Sequence, residues 1–286
     1  MRMSAPKIKG KESLSNGILK ILVYLSIIFT TAMLILIVGH IMVRGLPNLK
    51  PGLFEFGYTS DNQSMTHAII NTVEMIVLVL LIVVPAGVMT AIYNVEYAKP
   101  DNKFVKLARV MTETLQGIPS IIYGLFGMLF FAYTIGWDMS IMAGAMTMVI
   151  MCLPLIIRSS EEALMAVPNT LREASYGLGA RKLKTTVSVV LPAASMGIFS
   201  GIILSIGRIV GETAAIIYTA GTMAKLAGPF TSGRTLAIHM YMQQTEGMHV
   251  PQAYATAVVL LIVVIFINSL SAYIQNKLEK KERGDE

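Results

Sequence analysis

Cysteine is nearly absent: Cys152 is alone in 286 residues, so the chain cannot form an internal disulfide. Histidine is also scarce. His40, His67, His239 and His249 are too scattered for zinc-ligand spacing, and no metal or other cofactor is expected. Charged residues make up 14% of the chain, against about 25% in an ordinary soluble domain. With 54% of residues apolar, that balance argues against a water-soluble enzyme. No Gly-x-x-x-x-Gly-Lys-Ser/Thr loop occurs, which excludes nucleotide binding by that route. Low-complexity tracts, convincing internal repeats and a separate soluble domain are missing as well.

What the chain has instead is long apolar runs. Six stand out: 21–43, 68–93, 118–135, 139–157, 196–218 and 253–274. Each reaches the roughly 18 apolar residues that mark a membrane helix, the third and fourth only narrowly. Their number is more secure than their boundaries. The first run is too long for a signal-peptide core and no small-residue cleavage site follows it, so a retained helix is expected. The resulting division is a tail over residues 1–20, a membrane domain over 21–276 and a second tail over 277–286.

The lysines and arginines fall unevenly between the runs. The N-terminal tail, the second and fourth loops and the C-terminal tail hold eighteen of them, while the other loops hold only Arg44, Lys50, Lys225 and Arg234. Cytoplasmic loops of membrane proteins carry the excess of basic residues, so both termini are expected in the cytoplasm. The net charge of +6 is then mainly a topology signal rather than a sign of nucleic-acid binding.

The largest cytoplasmic insert, 158–191, is helix-like in composition. Ser159, Ser160, Glu161 and Glu162 precede Ala163 and Leu164, as at a helix start, and Pro168-Asn169 punctuates the segment before a second helical pattern. Two short helices on this face would suit a docking surface.

This insert contains Arg172-Glu173-Ala174-Ser175-Tyr176-Gly177-Leu178-Gly179-Ala180 and closes with Val189-Val190-Leu191-Pro192. It resembles the EAA loop of ABC importer permeases, in which Glu-Ala-Ala, three residues, Gly and nine residues lead to Ile-x-Leu-Pro. Glu173, Ala174, Gly179, Leu191 and Pro192 fall in register, with Ser175 and Val189 as mild departures. Small side chains let a helix approach a groove, and a glycine permits a sharp turn at positive φ. Leu115 to Leu125, with Gly117-Ile118-Pro119-Ser120, and Gly207-Arg208-Ile209-Val210-Gly211-Glu212-Thr213-Ala214 further resemble segments of the phosphate-transport permeases. The likeness covers roughly residues 68–275.

The resemblance implies an all-α membrane protein of six transmembrane helices with the type I ABC importer permease (MetI-like) fold. It also implies a transport subunit without catalytic residues of its own, in a bacterial inner membrane. The expected partners are a homologous permease, two ATPase subunits, an extracytoplasmic phosphate-binding protein, phosphate itself and the lipid bilayer. Glu173, Ala174, Gly179, Leu191 and Pro192 would couple the chain to the ATPase.

Arg208 lies near the middle of the fifth run, where an arginine costs about 2.5–3.5 kcal/mol on insertion scales. Glu212 follows four positions on, so a continuous helix would pair the two on one face. Ionisable groups at such depth mark pathways or structural ion pairs, and guanidinium matches phosphate oxygens. Glu212 is also placed to accept the proton of hydrogen phosphate. Glu74, inside the second run, is either a third pathway group or an interfacial one. Gly197, Gly201, Gly207 and Gly211 repeat small residues at i, i+4 and are expected to permit close packing. The stretch 222–252 is long enough for a lid or a docking surface. Competing readings are a permease for sulfate or molybdate and a proton-coupled secondary transporter; the EAA-like loop argues against the latter, which needs no ATPase dock.

Overall fold

The computed structural model describes residues 12–99 and 101–283. Arg2, Lys7, Lys9 and Lys11 of the basic tail lie outside the described residues. The described residues are helices joined by short turns and a few longer loops. In order they are α1 (Glu12–Gly45), α2 (Thr66–Ile92), α3 (Lys103–Gln116), α4 (Ser120–Gly127), α5 (Ile141–Ala166), α6 (Asn169–Gly177), α7 (Lys182–Thr185), α8 (Leu191–Gly211), α9 (Ala214–Thr219), α10 (Leu236–Thr245) and α11 (Val250–Arg283). Wider π-turns extend three of them: Tyr93–Tyr97 after α2, Met128–Thr134 after α4, and Thr186–Val190 between α7 and α8. The last immediately precedes Pro192, whose missing N–H removes one i to i−4 hydrogen bond.

Five helices are long and apolar enough to cross a membrane, and α3 with α4 and its extension form a sixth candidate bent by 103°. Most spans match the apolar runs, but two differ in instructive ways. The third run begins only at α4, with α3 turned sharply aside. The fifth apolar run started too late: helix is continuous from Lys182 and stops at Gly211. Helix also extends beyond the apolar runs at both ends of the chain, from Glu12 and to Arg283.

The core forms where α2, α5, α8 and α9 meet. Met75, Val79 and Val83 of α2 pack with Met148, Cys152 and Ile156 of α5 and with Ile209 and Ile216. α5 is the most enclosed of the spans, while α1 packs on α11 and leaves most of its apolar surface open. In lipid, apolar burial does not drive helices together, so close approach through small residues must. Gly45 sits against the Tyr254 backbone, Gly87 against Ile156, and Gly197 and Gly201 against Ala163 and Ser159. Gly207 and Gly211 have open space where a side chain would lie, so only the first pair of the small-residue repeat packs a neighbouring helix.

The bend before α4 is built by Gly117-Ile118-Pro119, and it is locked by one side chain. Tyr123 Oη donates to the Leu115 carbonyl at 2.6 Å, reinforcing an α3 acceptor that also takes a 3.3 Å bond from the Ile118 N–H. Beyond it, Gly124 packs so closely on α9 that an added Cβ would lie 2.8 Å from Ala215 Cα. That neighbour is backbone and cannot rotate away. Gly124→Ala should therefore lower stability by about 1–2 kcal/mol, overpacking outweighing the better helix propensity. Gly207→Ala, which meets nothing, should leave it unchanged or slightly higher. The thermal unfolding midpoints of the two detergent-solubilised variants check the contrast.

Candidate functional site

The fifth span is broken within the Gly-Arg-x-x-Gly-Glu-Thr-Ala segment. α8 ends at Gly211, and Glu212 has extended backbone with φ −72° and ψ 129°. The same-face pairing expected of Arg208 and Glu212 requires a helix running through both, and the break removes it. Among the described residues no carboxylate lies within ion-pair distance of Arg208.

Each charge has instead a helix end that suits it. Arg208 occupies the last turn of α8, at the negative pole of that helix. Glu212 accepts from the Ala215 N–H at 3.1 Å, so its carboxylate closes the N-terminus of α9. Both groups are half-buried and within Coulombic reach of Cys152, which lies fully buried midway along α5. A cavity of about 580 Å³ begins at Thr213 and Ala214, next to this break, and extends between Tyr218, Tyr241, Gln244 and Tyr254. Glu74 is half-buried two turns into α2 and has no ion-pair partner among the described residues.

At one end of the bundle the coupling-loop residues form a compact unit. Ser159 to Glu162 do not begin a helix; α5 carries Pro154 within it and runs through them to Ala166, with no further breaker before Pro168. Helix α6 then carries Glu173 and Ala174 on its exposed side. Gly179 turns the chain at φ +81°, the left-handed value that favours glycine. Leu191 opens α8 and Pro192 follows it, just after the Thr186–Val190 π-turn. Ser175, the departure from the EAA pattern, ties α6 to α7 through a 2.9 Å bond to Thr185.

Arg172, counted in the sequence only as a basic loop residue, is the anchor of this unit. Its guanidinium donates to Glu96 Oε1 at 3.1 and 2.7 Å, to the Val167 carbonyl at 2.7 Å and to the Leu164 carbonyl at 2.9 Å. One side chain thus caps the end of α5 and fastens α6 to the end of α2. Its position directly before Glu173 carried no signal of this role, because Glu96 lies 76 residues away.

The far end holds a second set that sequence reasoning missed. Asn71 of α2 donates to the Lys225 and Arg234 carbonyls at 3.0 and 3.1 Å and accepts from the Ala227 N–H at 3.1 Å. The loop between α9 and α10 is thereby pinned across the bundle, so this part of 222–252 is packed structure rather than a detached lid. Arg234 is 4% exposed, stacks 4.7 Å from the Tyr58 ring and donates to His67 Nε2 at 3.4 Å. His239 of α10 lies beside it, and Gln243 links His239 to Thr256 of α11. Burial, then the Arg234 cation and His67, push the His239 imidazole down to about 2, so it stays neutral. Two of the four scattered histidines, His67 and His239, are partners here, and only tertiary contact brings them together.

Comparison with known proteins places this geometry. Residues 83–284 match the family described as "Binding-protein-dependent transport system inner membrane component". The chain is 32% identical over 273 residues to "Probable ABC transporter permease protein YqgI" of Bacillus subtilis, covering 87% of this chain and 91% of that one. It is 36% identical over 210 residues to "Phosphate transport system permease protein PstA" of Mycobacterium leprae, covering 72% and 68%. Among solved structures, the inward-facing MetNI methionine ABC transporter aligns with a TM-score of 0.59 at 20% identity, covering 75% of this chain and 94% of that one. That likeness establishes the fold: the expected all-α, MetI-like type I importer permease.

Breaking the Arg172 anchor has a defined cost. Arg172→Met leaves Glu96 buried without its cation and removes a donor from the Val167 and Leu164 carbonyls, which should destabilise the protein by about 3–5 kcal/mol. Glu96→Gln with Arg172→Met removes the stranded charge as well and should recover part of that loss. Thermal unfolding midpoints check the order; a double variant no more stable than Arg172→Met would show that the buried carboxylate is not the cause.

Proposed function

Because this chain belongs to the family of binding-protein-dependent transport system inner membrane components, we propose that it is the PstA-type permease subunit of an ATP-driven phosphate importer, forming half of the translocation path. Members of this family are multi-pass inner-membrane transport components, not enzymes, and work with ATPase and binding-protein partners. The specific assembly proposed here is a PstC-like partner permease, two PstB-like ATPases and a PstS-like phosphate-binding protein. The phosphate-transport relatives support the substrate, and the broken fifth span supports a path through this chain.

The observation that carries the path is Arg208: a guanidinium in an apolar span, free of any carboxylate partner among the described residues, in the last turn of a helix that ends inside the membrane domain. Its planar fork matches two phosphate oxygens and stays charged at every relevant pH. The helix end it occupies offsets part of its cost when the path is empty. Glu212 already fills the N-terminus of α9, so an anion passing the break meets Arg208 and not a bare helix end. Contact is transient, since an anion held tightly at this depth does not leave. Glu212 and Glu74 are the acidic members of the path.

At the other end, Glu173, Ala174, Gly179, Leu191 and Pro192 form the ATPase dock. Exposed Glu173 supplies a polar contact on α6, while Arg172 beneath it passes the motion to α2 and α5. Gly179→Val should strain the φ +81° turn and separate ATP hydrolysis from uptake, whereas normal assembly with normal uptake would remove the loop from this role.

The distribution of basic residues puts the coupling loop and both termini in the cytoplasm. A membrane-impermeant thiol reagent on intact cells should label single cysteines at Asn62 and Thr231 in a Cys152→Ala background. Labelling at Asn102 or Lys182 instead would invert the topology.

Arg208→Gln should abolish phosphate uptake while assembly and binding-protein affinity stay near normal, and Arg208→Lys should recover little, because an ammonium lacks the fork. Phosphate uptake into cells or proteoliposomes is the measurement. Recovery in Arg208→Gln with Glu212→Gln would reduce the arginine to a structural counter-charge.

A further inference from the structure

Helix α3 has its apolar side on the wrong face for a helix packed on protein. At 100° per residue, Phe104, Leu107 and Met111 share one face, with Val110 at its margin. All four are exposed, Phe104 at 82%. The opposite face carries the contacts with the bundle: Val105 is buried, and Arg109 lies 3.3 Å from Glu161 of α5, which also accepts from Asn94 at 2.6 Å. Polar and ionic contacts thus hold α3 to the protein, while its hydrophobic stripe points away.

Three observations say what covers that stripe. The first is depth: α3 meets α5 around Ile157 and Glu161, about 24–30 Å from the start of α5 at Ile141 for a rise of 1.5 Å per residue. A hydrocarbon core is about 30 Å thick, so α3 lies at its boundary. The second is direction: the 103° bend into the α4 span, locked by Tyr123 on the Leu115 carbonyl, lays α3 along the membrane plane. The third is charge: Lys103 borders the apolar stripe and Lys106 lies further round the helix on the same side, both exposed and on stems long enough to reach headgroups. Lys106 is 3.0 Å from Asp101, but both side chains are exposed and such a pair is weak.

We propose that α3 is a membrane-surface helix that binds anionic lipid, with Phe104, Leu107 and Met111 among the acyl chains and Lys103 and Lys106 on the headgroups. The assignment to the cytoplasmic leaflet rests on the orientation proposed above, which thiol labelling tests separately. The helix also has a route to the dock: Arg109 holds Glu161, and α5 ends five residues later at Ala166, just before α6. Lipid charge at α3 thereby bears on the position of the coupling helix.

Spin labels test this in the assembled transporter in nanodiscs. Nitroxides are placed singly at Phe104, Val105, Leu107, Met111 and Thr112 in a Cys152→Ala background. Oxygen accessibility relative to a water-soluble nickel complex should be several-fold higher at Phe104, Leu107 and Met111 than at Val105 and Thr112. Poor access to both reagents at the three apolar positions would mean that the partner permease covers them, and preferential nickel access would mean open water; either overturns the proposal. The Phe104 label should also move deeper as the anionic lipid fraction rises, and Lys103→Gln with Lys106→Gln should remove that dependence. A depth that ignores lipid charge in the unsubstituted lysine background would overturn the anionic-lipid assignment.

Discussion

In hydrocarbon no water satisfies a backbone N–H or carbonyl, so every interruption of a spanning helix must be closed by the protein itself. This constraint shapes the molecule at each point where it departs from a plain helix bundle. At the turn before α4, the Tyr123 hydroxyl joins the Ile118 N–H on the Leu115 carbonyl. At the break in the fifth span, Glu212 closes the Ala215 N–H. In the long loop after α9, Asn71 alone serves three backbone groups. The irregular segments are tolerated because each has a polar side chain assigned to it.

The same requirement explains where the ionic contacts gather. Glu96 and Glu161 are largely buried near the coupling-loop end, one held by Arg172 and the other by Arg109 and Asn94. Neither pair is in the middle of a span, where desolvation would be greatest. Both link separate elements: α6 to α2 through Arg172, and α3 to α5 through Arg109. A loop fastened at several points can deliver displacement to the spans, whereas one attached only through its chain ends would absorb it.

Much of this was legible in order along the chain. The apolar runs marked the spans, and the positive φ at Gly179 follows from a residue that alone adopts it freely. Arg208 stood out because a cation within an apolar run needs a reason. Two misreadings came from local sequence rules. Four-residue spacing assumed a continuous helix where α8 breaks after Gly211, and acids before apolar residues suggested a helix start at Ser159 where α5 runs on through Glu162.

Sequence by itself determined the elements, their solvent and the chemistry present, because hydropathy, glycine torsion and side-chain charge are properties of residues or short windows. Tertiary structure alone decided which of those groups meet. Arg172 finds Glu96 across 76 residues, Asn71 finds Arg234 across 163, and His67 and His239 come into ring contact only when α2 and α10 pack. It likewise decided that the arginine of the fifth span stands at a helix end without a carboxylate partner among the described residues. The physical reason is that where a helix stops inside a membrane depends on whether a distant or neighbouring polar group can close its exposed ends, and no pattern of three or four residues records that.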